Sequence, residues 1–262
     1  MPVVTTPYPP GTPCWVDLMA SDQQAAMDFY CDLFQWQGEK GPGEFGGYAI
    51  MTRNGKPVAG IGPAMAMGDQ PPPPTVWTTY LASADADATA AKITAAGGTL
   101  MFDVMTVGTV GRMLVATDTS GAVFGVWQPL DFFGAQIVNE PGAVIWNELN
   151  TSDPTAASTF YPAAVGVSVA PMEGMDGYFA LNVEGRTVGG LQGLGHLPAG
   201  TPPHWATYFA VDDVDSTVDA AVRAGATLLA PAFDTPVGRM AAIQDPQGGA
   251  FWVMQPTMPG QA

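Results

Sequence analysis

Basic side chains are scarce in this sequence: eight Lys and Arg stand against 24 Asp and Glu, for a formal net charge of −16. Without a basic stripe the chain has no electrostatic footprint for nucleic acid, and acidic lipid surfaces would repel it. The acids are scattered beside turns and read as a solvated, solubilising surface. Histidine is nearly absent, with only His196 and His204. Cysteine is limited to Cys14 and Cys31, which lack a CxxC spacing and read as free thiols in a reducing compartment. No apolar run approaches the roughly 18–20 residues of a membrane span. The opening MPVVTTPYPPGTP has neither a basic segment nor an apolar core, so a cytoplasmic protein is expected. A G-x-G-x-x-G after a strand, a P-loop and a G-x-S-x-G are all missing. Nicotinamide, nucleoside-triphosphate and serine-hydrolase chemistry therefore have no support.

What is present is a repeat. WVDLMASDQQAAMDFYCDLFQW from Trp15 returns as WNELNTSDPTAASTFYPAAVGV from Trp146, and GRMLVATDTSGAVFGVWQP from Gly111 returns as GRMAAIQDPQGGAFWVMQP from Gly238. A third pair starts at Val76 and His204. Two like domains follow, expected over residues 11–130 and 142–256.

Each repeat divides again into strand, helix and several strands. In the first, Ser21 or Asp22 caps a helix with inner face Ala26, Phe29, Tyr30 and Leu33. Strands near Tyr48–Arg53 and Lys56–Gly60 are joined by Asn54-Gly55, a tight-hairpin signal. Gly68–Pro74 reads as a linker. A strand at Trp77–Ala82, a helix near Ala86–Ala96 and strands near Thr99–Met105, Gly111–Thr117 and Ala122–Gln128 complete the repeat. Pro162 falls late in the third helix and predicts that this helix is short or bent.

Four βαβββ units, FY on the first helix of each half and D-x-x-G before each last strand resemble the vicinal oxygen chelate superfamily. That superfamily includes glyoxalase I, extradiol dioxygenases and bleomycin-resistance proteins. The tandem layout is similar to two-domain glyoxalase-like proteins of actinobacteria, among them a secreted mycobacterial antigen and "hydroxylase"-labelled proteins of polyketide clusters. The resemblance implies an α+β fold of cup-shaped mixed sheets with helices outside. It also implies a divalent metal held in the cup by His, Glu or Gln on the first and last strands of the units. In this chain those positions fall on Trp15, Thr78, Gly125 and about Gly60, and on Trp146, Ala206, Trp252 and about Gly190. None offers a metal-binding side chain, so neither metal nor other cofactor is expected.

Alternation along the strands puts an indole and then a carboxylate on the cup face of each copy, Trp15 with Asp17 and Trp146 with Glu148. Tyr80, Trp127, Tyr208 and Trp252 extend the lining. An aromatic cleft with one carboxylate suits a small apolar or aromatic metabolite, although the same rings could simply be core. Arg112 and Arg239 repeat in GRM; they could clamp a ligand anion or pair with a turn acid such as Asp118 or Asp245. Glu148 with His204 forms a candidate acid–base pair in the second cup only.

Three readings follow. The first is a metal-independent binder of a small metabolite, serving sequestration, self-resistance or a tailoring step. The second is an enzyme, either a metal-dependent lyase or oxygenase or an acid–base catalyst. The third is a structural or regulatory scaffold with vestigial cups, for which a homodimer is open.

Overall fold

The structure is a computed structural model and describes residues 3–66 and 72–257. The first half folds as β1 (Pro13–Ala20), α1 (Gln23–Phe34), β2 (Ala49–Arg53), β3 (Lys56–Pro63), β4 (Trp77–Ala82), α2 (Ala86–Ala95), β5 (Thr99–Leu100), β6 (Met105–Val107), β7 (Gly111–Thr117) and β8 (Val123–Pro129). The second follows as β9 (Val144–Thr151), α3 (Pro154–Val165), β10 (Ser168–Pro171), β11 (Tyr178–Val183), β12 (Arg186–Gly193), β13 (His204–Ala210), α4 (Val214–Arg223), β14 (Thr227–Thr235), β15 (Gly238–Gln244) and β16 (Ala250–Pro256).

Each half forms one mixed sheet in which its two units meet through their first strands. The orders are β2-β3-β1-β4-β8-β7-β5, with β6 on β7, and β10-β11-β12-β9-β13-β16-β15-β14. The expected α+β architecture, two halves that each form a mixed sheet with two helices, is what is found.

All four helices begin alike. Asp22, Asp85, Asp153 and Asp213 each accept the backbone N–H three residues on, which satisfies a donor the helix leaves free. Asn54 and Gly55 both take positive φ, 51° and 71°, as a two-residue turn between β2 and β3 requires. The strand expected over Thr99–Met105 breaks into β5 and β6. The linker expected at Gly68–Pro74 lies largely outside the described residues.

Pro162 does not shorten its helix. α3 runs to Val165 through twelve residues, the length of α1. The proline sits in the last turn and removes one backbone donor, while Phe160, Tyr161, Ala164 and Val165 around it are buried. Tertiary packing therefore outweighs the local cost.

The helices lie between the two sheets and the core crosses the halves. One cluster joins Leu18, Phe29, Tyr30 and Phe34 of the first unit to Phe209, Val214, Ile243 and Phe251 of the fourth. The other joins Leu81, Ile93 and Phe124 of the second unit to Phe160, Tyr161 and Leu191 of the third. The motif residues fasten this arrangement. Tyr30 Oη donates to Asp245 Oδ2 at 2.8 Å and receives Trp77 Nε1 at 3.0 Å. Tyr161 Oη donates to Asp118 Oδ2 at 3.0 Å and receives Trp205 Nε1 at 2.9 Å. The FY tyrosine of each half thus grips the D-x-x-G aspartate of the other, whose second oxygen holds its own turn through Ala122 N or Gly249 N. With the helix-bearing faces turned toward each other, the two concave faces open away from the interface.

Candidate functional site

Each concave face carries its own aromatic cluster. In the first cup Trp15, Tyr80 and Trp127 are buried together. Asp17 is 3% exposed and accepts from Tyr48 Oη at 3.1 Å, while Trp15 Nε1 donates to the same hydroxyl at 2.8 Å. Tyr80 flanks the carboxyl, yet Oδ1 of Asp17 has no hydrogen-bond partner. Burial pushes the Asp17 carboxyl up to about 7, against the pull of the two phenols.

The second cup repeats the device with more donors. Trp146 Nε1 donates to Tyr178 Oη at 3.0 Å, and Tyr178 donates to Glu148 Oε2 at 2.8 Å. Glu148 Oε1 accepts from Tyr208 Oη at 2.9 Å and from Gln192 Nε2 at 2.8 Å. Burial, reinforced by the neighbouring Glu148 charge, raises both phenols well above the ordinary tyrosine range. Trp252 stacks on Tyr208 with centroids 5.3 Å apart, and Phe233 stands edge-on to Trp252 at 6.2 Å.

These networks explain the glycines at the positions where relatives would place metal ligands. A Cβ at Gly60 would overlap the Tyr48 hydroxyl, one at Gly190 would overlap that of Tyr178, and one at Gly125 would overlap the Tyr80 ring. The tyrosines occupy the space a ligating side chain would need. Trp15, Thr78, Trp146, Ala206 and Trp252 fill the other positions, and the one carboxylate per cup is engaged by phenols. Among the described residues no three His, Cys, Asp or Glu are grouped to hold a metal ion. The residues present do not fit a divalent ion held by side chains in either cup.

The cups differ in access. The segment after β8 folds back over the first cup, with Phe132 edge-on to Trp15 at 5.0 Å and to Trp127 at 6.0 Å. Trp127 Nε1 donates to Phe132 O at 2.8 Å, Ala135 N to Cys14 O at 2.8 Å and Tyr8 Oη to Ala135 O at 2.6 Å, which pins the strap. The first cup is filled by the chain's own phenylalanine. In the second, Trp146 and Trp252 are only partly buried, and no described aromatic ring packs against Trp146.

The structure brings together Trp15, Asp17, Tyr80 and Trp127 in one cup and Trp146, Glu148, Tyr208 and Trp252 in the other. It does not bring the arginines there. Arg112 lies on the helix-facing side of β7 and pairs with Asp87 of α2 at 2.6 Å. Arg239 pairs with Asp215 of α4 at 2.9 Å and Asp234 at 3.0 Å. Neither is placed to clamp a ligand in a cup, and neither pairs with Asp118 or Asp245, whose carboxylates hold turns and tyrosines. His204 begins β13 on the cup side, opposite Asn150 and not against Glu148. Tyr48, Tyr178, Gln192 and Phe132 were not singled out by sequence. Tyr48 and Tyr178 carried a signal, since each repeats 12 residues before a glycine at a strand position expected to hold a ligand.

Comparison with known proteins agrees with this geometry. Residues 14–126 match the family model of the Glyoxalase/Bleomycin resistance protein/Dioxygenase superfamily, and residues 146–254 match that of the glyoxalase-like domain. CFP32 of Mycobacterium tuberculosis (strain CDC 1551 / Oshkosh), which carries the provisional name of a glyoxylase, is 43% identical over 254 residues, covering 95% of this chain and 96% of that protein. The anthracycline biosynthesis protein DnrV of Streptomyces peucetius is 38% identical over 264 residues, covering 95% of each. Among solved structures, the Mn(II)-bound glyoxalase from Novosphingobium aromaticivorans superposes with a TM-score of 0.64 at 17% identity, over 94% of this chain and 82% of that one. The 2,3-dioxygenase LapB from Pseudomonas sp. KL28 gives 0.60 at 13%, over 93% and 91%. At such identities these likenesses speak for the fold alone. The chain belongs to the Glyoxalase/Bleomycin resistance protein/Dioxygenase superfamily, as a tandem of two such domains.

Proposed function

We propose that this protein binds a small, flat aromatic metabolite in its second cup, without a metal, and serves sequestration, self-resistance or a tailoring step in secondary metabolism. The observation that carries the reading is Phe132. In the first cup an aromatic ring sits edge-on to the indole floor, and the chain supplies that ring itself. The second cup keeps an equivalent floor in Trp146 and a stacked wall of Tyr208 and Trp252, with Phe233 edge-on to Trp252 at its side; among the described residues no ring stands edge-on to Trp146 itself.

Metal independence rests on the donor set. Tyr48 and Tyr178 overlie the glycines, and the Glu148 oxygens are already satisfied by three donors. The name of the Streptomyces relative directs the choice of ligand toward polycyclic aromatic compounds. A three-ring system burying about 200 Å² of apolar surface would gain roughly 5 kcal/mol, which corresponds to sub-millimolar affinity before any polar contact.

Titration with hydroxylated anthraquinones tests this, followed by indole quenching and melting temperature. A ligand at a hundred times its Kd should stabilise the protein by about 2.7 kcal/mol. Trp146→Ala should weaken binding by roughly 1–3 kcal/mol while the mutant remains folded. A folded Trp146→Ala protein that binds as tightly as the parent would remove the indole from the site and the reading with it.

A further inference from the structure

At one end of the second cup three polar side chains stand in a row across adjacent strands. Asn150 on β9 lies opposite Gln192 on β12 and opposite His204 on β13. Asn150 and Gln192 lie two residues beyond Glu148 and Gly190, and His204 two before Ala206, so all three share the concave face with Trp146 and Tyr208. The same row in the first cup is Met19, Gly62 and Val76, which are wholly apolar.

The hydrogen bonding of the row is incomplete in one sense only. Gln192 Nε2 donates to Glu148 Oε1 at 2.8 Å and lies 3.3 Å from His196 Nε2, so its donors are spent. His204 Nδ1 lies 2.8 Å from the Pro202 carbonyl oxygen. A carbonyl only accepts, so Nδ1 carries the proton and Nε2 of the neutral ring is left as an acceptor. Asn150 is 2% exposed, and its Oδ1 has no hydrogen-bond partner. A buried acceptor without a donor is unfavourable until something donates to it. The aromatic cup therefore ends in two acceptors on neighbouring strands, with no protein donor for either among the described residues.

We infer that Asn150 Oδ1 and His204 Nε2 form a recognition subsite for the hydroxyl-bearing edge of the ligand. The second cup accordingly selects aromatic compounds with free hydroxyl groups over their O-methyl ethers. This rests on the second cup being the binding site, and it adds which edge of the ligand enters first and what that edge must carry.

The test compares a dihydroxyanthraquinone with its di-O-methyl ether, binding each to the parent protein and to Asn150→Met, His204→Val and the double variant. Methionine and valine are what the first copy carries at these positions, so the fold already accommodates them there. The parent should bind the dihydroxy compound at least tenfold more tightly than the ether. Both single variants should lose that preference several-fold through weaker binding of the dihydroxy compound, with ether affinity unchanged. If Asn150→Met does not fold, His204→Val, at a partly exposed strand end, must still remove at least threefold of the preference. Equal binding of both compounds by the parent overturns the subsite while leaving the second cup as the binding site. A preference that survives in both variants, or one lost only because the ether binds better, also overturns it. Binding of neither compound overturns the subsite together with the functional reading.

Discussion

Replacing Asp17 by Asn should change how stability depends on pH. Asp17 is buried in the first cup, with Tyr48 donating to Oδ2, Tyr80 beside the carboxyl and Oδ1 without a hydrogen-bond partner, and its carboxyl is pushed up to about 7 by burial against the pull of the two phenols. In the unfolded chain an aspartate titrates near its ordinary value of about 3.9. Between these values the native protein holds a proton that the unfolded chain has lost, so stability falls as pH rises. The stabilisation is complete below about pH 4, declines between about 4 and 7, and is absent above the folded value. Retaining a carboxyl that titrates three pH units high corresponds to about 4 kcal/mol across that window. Asparagine can still accept from Tyr48 but does not titrate. Urea unfolding of both proteins from pH 4.5 to 8.5 measures the difference, and other titrating groups cancel in it. The parent should lose several kcal/mol relative to Asp17→Asn as pH rises, with m unchanged. Parallel curves, within about 0.5 kcal/mol over the range, would mean that the carboxyl titrates normally in the native state. The closed, unsolvated first cup would then be wrong.

Three further outcomes follow from the packing. Phe132→Ala should cost about 2–3 kcal/mol, since the ring is partly buried, and should open the first cup so that an aromatic ligand binds at two sites in place of one, as titration calorimetry would show. Tyr161→Phe removes the donor to buried Asp118 Oδ2 and should cost about 1.5–3 kcal/mol in urea unfolding, with ligand affinity unchanged. Between the sheets, Thr79 Oγ1 donates to Asn147 Oδ1 at 2.8 Å, whereas the symmetry-related hydroxyl of Thr207 is buried without a partner because Val16 stands where Asn147 would. Thr207→Val should therefore stabilise the protein by about 1 kcal/mol, and Thr79→Val should destabilise it; the same sign for both would refute the assignment.

Local signals carried much of this architecture. The repeat located both halves, the four aspartates located the helix starts, and strand alternation placed Trp15, Asp17, Trp146 and Glu148 on concave faces. What was not legible depends on contacts distant in sequence. Tyr48 reaches Trp15 and Asp17 from 33 and 31 residues away, and its pairing with Gly60 becomes meaningful only when β3 lies beside β1. Phe132 belongs to a connection with no hydrophobic period, so nothing local marked it as a plug. Arg112 and Arg239 repeat as a binding pair would, yet adjacent helices supply their acids. At Pro162 the packing of its buried neighbours outweighed local propensity. Asp118 and Asp245 read as turn acids open to pairing with Arg112 and Arg239; the tyrosines they hold come from the opposite half and left no local sign.

On the function proposed here, the second cup alone binds an aromatic ligand and needs no metal to do so. Titration calorimetry of a dihydroxyanthraquinone into protein stripped with a chelator and kept in it tests both parts together. One site per chain is expected, with an affinity unchanged from untreated protein. Binding that disappears on stripping and returns with Mn or Fe, or two equal sites per chain, would contradict it.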